Sequence, residues 1–110
     1  MLSFLGKEVE VVIDRAKGSL HPKYGWIYPI NYGYLPGTKA GDGEPIDAYI
    51  VGIDYPLKHF VGQVVAIVKR VDDIEDKLIV APKNFYFSKK ELEELIYFQE
   101  RFFNSYLVMK

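Results

Sequence analysis

Apolar runs separated by turn-forming residues predict several short β-strands. The segment EVEVVID at residues 8–14 is rich in valine and isoleucine, which favour strands. Residues 46–53, 62–71 and 77–81 have the same apolar character and are predicted as three more strands. Residues 15–44 carry repeated glycine and proline, so that segment is predicted to be mostly turn and loop.

A single helix is predicted near the end of the chain, at about residues 88–106. Ser88 stands three residues before Glu91, which is the spacing of a helix capping box. Apolar residues at helical spacing predict one buried face, formed by Leu92, Leu95, Ile96, Phe102, Phe103 and Tyr106. Strands followed by one helix predict a mainly β fold: a small OB-like, closed or partly open β-barrel at about 7–82, with the helix packed on it. Because βαβ alternation is absent, a doubly wound parallel sheet is not expected.

Composition limits the class of protein. The 110 residues fit a single domain, and 49% hydrophobic with 15% aromatic residues argues against disorder. The net charge of −1 argues against a nucleic-acid surface that depends on bulk positive charge. The absence of cysteine excludes disulfides, thiolate zinc sites and a cysteine nucleophile. With no long apolar run and no signal-like start, the sequence predicts a soluble cytoplasmic protein without a membrane partner.

Acidic residues are concentrated in two stretches that each adjoin a predicted strand. The first holds Asp42, Glu44, Asp47 and the nearby Asp54, and the second holds Asp72, Asp73, Glu75 and Asp76. A meander of strands would bring both stretches to one end of a barrel. Oxygen-rich clusters suit Mg²⁺, Mn²⁺ or Ca²⁺ rather than zinc. Solvated turns have the same composition, so the spacing alone leaves both interpretations open.

Cations and tyrosines in and beside these loops are compatible with a phosphate site. They are Arg15, Lys23 and Lys77 among the cations, and Tyr28, Tyr32 and Tyr34 among the tyrosines. Simple charge balance and aromatic packing would explain the same residues equally well. The sequence holds no P-loop, no dinucleotide-binding fingerprint and no serine-hydrolase elbow.

The stretch YPINYGYLPGTKAGDGEPIDAYIVG, residues 28–52, resembles the family I soluble inorganic pyrophosphatases. Their core pattern runs Y-P-x-N-Y-G-[YF], and D-G-D-P-x-D begins eight residues after the last aromatic, as Asp42 does after Tyr34. The segment VDDIEDKLIV resembles the family's second acidic segment, and VVIDRAKGSLHPKY resembles its upstream strand and lysine. The similarity covers residues 10–82, and FFNSY within 99–106 is similar to the family's F-F-x-x-Y.

This resemblance implies Mg²⁺-dependent hydrolysis of pyrophosphate to two phosphates, with Mn²⁺ as a substitute cofactor. The implied metal ligands are Asp42, Asp47, Asp76, Asp72, Asp73 and, near an outer metal, Asp14. Glu44 stands where the family has an aspartate that orients or deprotonates the attacking water. The implied phosphate ligands are Lys23, Tyr32, Lys77 and Tyr106, with Arg15 replacing a missing family arginine.

The chain also departs from the family pattern in ways that predict weakened activity. Glu44 is one methylene longer than the family's aspartate, and Leu107 stands where the family has a lysine. Only four residues separate Lys23 from Tyr28, so the family's β-hairpin at this point is shortened. Two alternatives therefore stay open: hydrolysis of another phosphoanhydride such as a nucleotide, and metal or phosphate binding without turnover. In each case we expect a small-molecule ligand, a homo-oligomer and no nucleic-acid partner.

Overall fold

The computed structural model describes residues 1–71 and 75–109. A 3₁₀ turn at Leu2–Phe4 precedes the first strand. The strands are β1 Glu8–Arg15, β2 Asn31–Leu35, β3 Ile46–Ile50, β4 His59–Arg70, β5 Lys77–Ala81 and β6 Ser105–Met109, and the helix is α1 Lys89–Glu100. No helix within these residues is both long and apolar enough to span a bilayer.

Five of the strands close into a barrel in the order β1-β2-β3-β5-β4, with β1 pairing again to β4. All of these pairs are antiparallel except β3 with β5, which run parallel. Strand β6 extends the sheet by pairing with the second half of β4. The closed five-stranded barrel with one helix confirms the predicted fold class.

Alternation along the strands creates two apolar layers. The residues that fill the barrel interior include Val11, Leu35, Ile46, Ala48, Ile50, Val64, Ile67, Leu78 and Val80. The residues between the barrel wall and the helix include Tyr32, Tyr49, Val68, Ile79, Leu92 and Ile96. Because side chains alternate between faces, polar residues at the starts of β3 and β5 fall on the outer side of the wall. That outer side carries the candidate site.

The helix begins as predicted but ends earlier. Ser88 accepts a hydrogen bond from the Glu91 backbone N–H at 3.1 Å, and Glu91 accepts one from the Ser88 N–H at 2.8 Å. The predicted extent of about 88–106 is too long, since α1 ends at Glu100 and residues 105–109 form β6. In the structure, residues 105–109 instead bond to the second half of β4 as an edge strand. Phe102, Phe103 and Tyr106 are therefore not part of the helical face.

Strand β2 lies inside the segment 15–44, which the sequence predicted to be mostly loop. It pairs with β1 on one side and β3 on the other. Asn31, at its first position, is fully buried and works as a structural brace. Its side-chain oxygen accepts from the backbone N–H groups of Lys17 at 2.9 Å and Leu57 at 3.0 Å, and its amide donates to the Tyr55 carbonyl at 3.0 Å. One buried amide thus ties the loop between β1 and β2 to the loop between β3 and β4.

Candidate active site

Five carboxylates line one surface cavity of about 410 Å³. Its lining residues are Asp14, Tyr34, Asp42, Glu44, Pro45, Asp47 and Glu75; we call it the acidic cavity. The prediction that the two acidic stretches meet is confirmed for Glu75. They meet because β3 and β5 run parallel, which places the turns before both strands at the same end of the barrel.

The loop before β3 is held by its own hydrogen bonds. Asp42 Oδ1 accepts from the Glu44 backbone N–H at 3.0 Å, a local turn that aspartate favours. Thr38 closes the base of the loop, because its hydroxyl donates to the Leu35 carbonyl at 2.7 Å and accepts from the Ile46 N–H at 3.0 Å. These hydrogen bonds fix the backbone that carries the carboxylates of this loop.

Asp14 reaches the acidic cavity from a β-bulge in β1. Ile13 pairs with Gly33 and Arg15 pairs with Tyr32, so Asp14 is the extra residue between the two pairs. A bulge bends the strand and redirects the side chain of the added residue. The two backbones approach so closely here that a Cβ at position 33 would lie 2.0 Å from a β1 carbonyl oxygen. Glycine is thus required at the centre of the Y-G-Y motif.

Lys77 is buried against the acidic cavity and neutralises part of its charge. Its Nζ donates to Asp47 Oδ2 at 2.8 Å and to Glu75 Oε1 at 2.7 Å. The same ammonium lies 5.4 Å from the centre of the Tyr32 ring. Burial raises the pKa of Tyr32 well above its usual range, and the Asp47 carboxylate raises it further. The Tyr32 hydroxyl accordingly stays protonated.

The donor set fits an oxygen-seeking divalent ion, although the carboxylates do not form a closed cage. Across residues 1–71 and 75–109, no three acidic or histidine side chains are close enough together to enclose a metal ion. Asp47 and Glu75 are instead drawn to Lys77. Mg²⁺ takes one or two protein carboxylates and completes its shell with water and phosphate oxygens. An open set of five carboxylates is suited to that kind of coordination.

Asp76 was predicted as a metal ligand but does not line the acidic cavity. Its Oδ2 accepts from Lys69 Nζ at 2.8 Å, and its Oδ1 accepts from the Arg70 backbone N–H at 3.2 Å. The hydrogen bond from Lys69 to Asp76 raises the pKa of Lys69. Successive side chains of an extended chain face opposite ways, so Glu75 shares a side with Lys77 and Asp76 does not. Sequence reasoning placed Glu75 in the second acidic stretch without assigning it as a ligand, and its spacing two residues before Lys77 was the available signal.

Three predicted phosphate ligands do not line the acidic cavity. Lys23 extends over the Tyr24 ring at 5.3 Å, in a tight turn closed by a bridge between Leu20 and Ile27. Tyr106 is half-exposed on β6, opposite Lys69. Arg15 donates to the carbonyl of its neighbour Asp14 at 3.1 Å and lies near the Tyr28 hydroxyl. Asp72 and Asp73 lie outside the described residues.

A second cavity of about 790 Å³ has Lys77 in its wall. Its lining residues are His21, Tyr24, Gly25, Trp26, Arg70, Lys77, Gln99, Arg101, Phe102 and Phe103; we call it the aromatic cavity. The sequence did not predict it, since three of its ten lining residues follow the unexpected end of α1 and the others come from distant parts of the chain. Lys77 lines the aromatic cavity, and its ammonium donates to two carboxylates of the acidic cavity, Asp47 and Glu75.

Two residues of the aromatic cavity, Arg70 and Gln99, belong to a buried polar network. Arg70 donates to both carboxylate oxygens of Glu100, at 3.2 and 2.7 Å. The Tyr49 hydroxyl donates to Glu100 and accepts from Gln99 at 2.8 Å. Burial alone would lower the pKa of Arg70, but the Glu100 carboxylate outweighs it and keeps the guanidinium charged. Burial and the Glu100 carboxylate together raise the pKa of Tyr49 well above its usual range.

Comparison with known proteins gives a consistent result. A protein-family model described as inorganic pyrophosphatase matches residues 8–109. The chain is 37% identical over 87 residues to the inorganic pyrophosphatase of Ralstonia nicotianae, covering 69% of this chain and 48% of that protein. It is 32% identical over 108 residues to that of Xylella fastidiosa, covering 76% and 59%. The chain thus spans about half the length of the curated relatives it matches.

Solved structures of similar fold point the same way. The inorganic pyrophosphatase of Ehrlichia chaffeensis matches with a TM-score of 0.74 at 20% identity, covering 96% of this chain and 87% of that chain. That of Helicobacter pylori matches with a TM-score of 0.65 at 23% identity, covering 94% and 82%. At this level of identity the structural matches establish the shared fold.

Proposed function

We propose that this chain, which belongs to the inorganic pyrophosphatase family, hydrolyses inorganic pyrophosphate to two phosphate ions. The observation that carries the proposal is the meeting of five carboxylates at one cavity beside a buried lysine. The family implies a divalent metal, and we assign Mg²⁺, with Mn²⁺ as a substitute, because every ligand is an oxygen.

The proposed ligands are the carboxylates nearest the parallel pair of strands. Asp42, Asp47 and Glu75 would hold the ions, and Asp14 would act from the rim of the acidic cavity. Bound divalent ions supply positive charge that acidifies a water and neutralises the phosphoryl oxygens. In this proposal Glu75 takes the role that the family resemblance gave to Asp76.

Three further side chains have roles toward the water and the substrate. Glu44 would orient the attacking water and accept its proton, since it lines the same cavity as the proposed ligands. The Lys77 ammonium would donate to a phosphate oxygen once Asp47 and Glu75 are engaged with ions. Its charge then stabilises the departing phosphate. The protonated Tyr32 hydroxyl is a neutral donor near the same point.

A phosphate-release assay tests the proposal. Purified protein in Mg²⁺ is given pyrophosphate or ATP, and released phosphate is measured. We expect release from pyrophosphate, and loss of that release in Asp42→Asn and Asp47→Asn. Asp54→Asn is the matched control, because Asp54 is an almost fully exposed carboxylate paired with Lys17 and outside the acidic cavity. No release from pyrophosphate, or unaltered turnover in both site variants, would refute the proposal.

The cell compartment, oligomeric state and partners of the protein remain predictions. We expect a cytoplasmic homo-oligomer that binds its small-molecule substrate without a nucleic-acid or membrane partner. Lys23, Arg15 and Tyr106 have no role in the proposal, because they do not line the acidic cavity.

A further inference from the structure

Three aromatic rings form a nearly parallel column along the aromatic cavity. The Tyr24 and Trp26 ring centres are 5.4 Å apart with 20° between their planes, and Trp26 and Phe102 are 5.4 Å apart with 14° between theirs. Tyr24 is 64% exposed and Phe102 is 58% exposed. Large exposed rings clustered at a concave surface are typical of binding sites. The column therefore forms an apolar wall whose outer rings, Tyr24 and Phe102, are not buried in the core of the barrel.

Cationic and neutral donors border the same wall. The Arg101 guanidinium lies 4.8 Å from the Phe102 ring centre, and Arg101 forms no salt bridge with any described carboxylate. His21 Nδ1 accepts from the backbone N–H groups of Lys23 and Tyr24, both at 3.0 Å. The proton of a neutral His21 ring must then be on Nε2, which makes that atom a donor. The cavity thus combines ring faces with groups that bind an anion.

The size and lining of the cavity indicate the class of ligand. A volume of about 790 Å³ is typical of sites for small organic molecules. Pyrophosphate is a small ion that gains nothing from apolar ring faces. We propose that the aromatic cavity binds a nucleotide, with its base against the exposed Phe102 ring and its phosphates toward Arg101 and the His21 Nε2 donor. This proposal concerns binding only, and it stands whether or not the chain hydrolyses pyrophosphate.

Fluorescence and calorimetry test it on the intact protein. The chain has a single tryptophan, and it lies in this wall, so its emission reports on the cavity. Titrations with ADP, adenosine and pyrophosphate are done in EDTA, where metal-dependent turnover cannot occur. We expect ADP to quench Trp26 and to bind on the order of ten-fold more tightly than adenosine or pyrophosphate, because only ADP engages both rings and cations. Equal affinities for ADP and pyrophosphate would overturn the proposal.

Two variants separate the base contact from the phosphate contact, with calorimetry as the readout. Phe102→Ala should weaken ADP on the order of ten-fold, since it removes a stacking surface. Arg101→Ala should weaken ADP and leave adenosine unchanged. Tyr86→Ala is the control, because Tyr86 is an 89% exposed aromatic outside the cavity. Unchanged thermal midpoints show that the variants are folded.

Two other outcomes would overturn the proposal. One is unchanged ADP affinity in Phe102→Ala. The other is loss of self-association in Phe102→Ala, seen by sedimentation, without any response of the wild-type protein to ADP, since the rings would then face a second copy of the chain. Phosphate release from pyrophosphate in Mg²⁺ is measured separately, so failure of this proposal and failure of the proposed function can be told apart.

Discussion

Lys77 Nζ lies 2.8 Å from Asp47 Oδ2, across two parallel strands and 30 residues of sequence. The lysine side chain is only 4% exposed, and its second partner is Glu75 at 2.7 Å. A single buried cation therefore balances two carboxylates that we propose as metal ligands. Stability without metal and affinity for metal should depend on this lysine in opposite directions.

Replacing Lys77 by methionine tests that opposition. In EDTA the free energy of unfolding should fall by about 3 kcal/mol, because two partly buried carboxylates lose the hydrogen bonds from the Lys77 ammonium. The affinity for Mg²⁺, measured by calorimetry, should rise, since no ammonium then competes for Asp47 and Glu75. Lys69→Met is the control, because Lys69 is a more exposed lysine paired with Asp76. Its cost should stay near or below about 1 kcal/mol, without a change in Mg²⁺ affinity.

Two neighbouring acids should behave differently when each is neutralised. Glu75→Gln should lower pyrophosphate turnover by roughly 10–100-fold or more, since a proposed metal ligand is lost. Asp76→Asn should keep turnover within a few-fold of the wild type, because Asp76 pairs with Lys69 away from the acidic cavity. Steady-state rates at several Mg²⁺ concentrations give the comparison. A large loss in Asp76→Asn with none in Glu75→Gln would reverse the assignment.

Mg²⁺ should raise the thermal midpoint of the protein. An ion that binds only the folded chain adds about 2.7 kcal/mol at one hundred times its Kd, and in a domain of this size that corresponds to roughly 10 °C or more. Scanning calorimetry with and without millimolar Mg²⁺ or Mn²⁺ measures the shift. Asp42→Asn should reduce it, and Asp54→Asn should keep it. A midpoint unmoved by either ion would count against the site.

Alkaline pH should destabilise the protein through Tyr49. The ordinary pKa of tyrosine is 10.0, and that of folded Tyr49 is well above it because of burial and the Glu100 carboxylate. The folded state keeps this proton longer than the unfolded state does. The stabilising contribution is therefore complete below pH 10 and is lost as pH rises above it, at up to about 1.4 kcal/mol per pH unit.

Urea unfolding between pH 8 and pH 11 measures this slope. Tyr49→Phe should flatten the slope above pH 10, and it should cost about 1–3 kcal/mol at pH 8, since buried Glu100 loses a donor. Tyr86→Phe, at an exposed tyrosine, should keep the wild-type slope. An equal slope in Tyr49→Phe and the wild type would contradict the assignment.

The sequence predicted correctly those strands and helix ends for which the local residue pattern alone indicates the observed structure. Valine-rich strands and the Ser88–Glu91 capping box are local signals, and both appear as expected. Strand β2 was missed because its glycine and the neighbouring prolines indicate turns. Its extended conformation comes from pairing with β1 and β3 on either side. Likewise the end of α1 depends on the pairing of β6 with β4, and the residues around Glu100 carry no local signal for that pairing.

Most of the candidate site could be predicted, for a related reason. Asp42, Glu44 and Asp47 belong to one short motif, so their proximity follows from the chain itself. The choice between Glu75 and Asp76 depends on which of two adjacent side chains faces the cavity. Only the register of β5 against β3 decides that. The aromatic cavity brings together residues 21–26 and 99–103, which are far apart in sequence, so it could be recognised only in three dimensions.

The parallel contact between β3 and β5 also bears on how the protein folds. Pairings between strands so distant in the chain tend to form late, after the nearby antiparallel contacts. A ligand whose site is absent from the folding transition state slows unfolding and leaves the folding rate nearly unchanged. Bound Mg²⁺ should therefore lengthen the lifetime of the folded barrel without shortening the time the chain takes to fold.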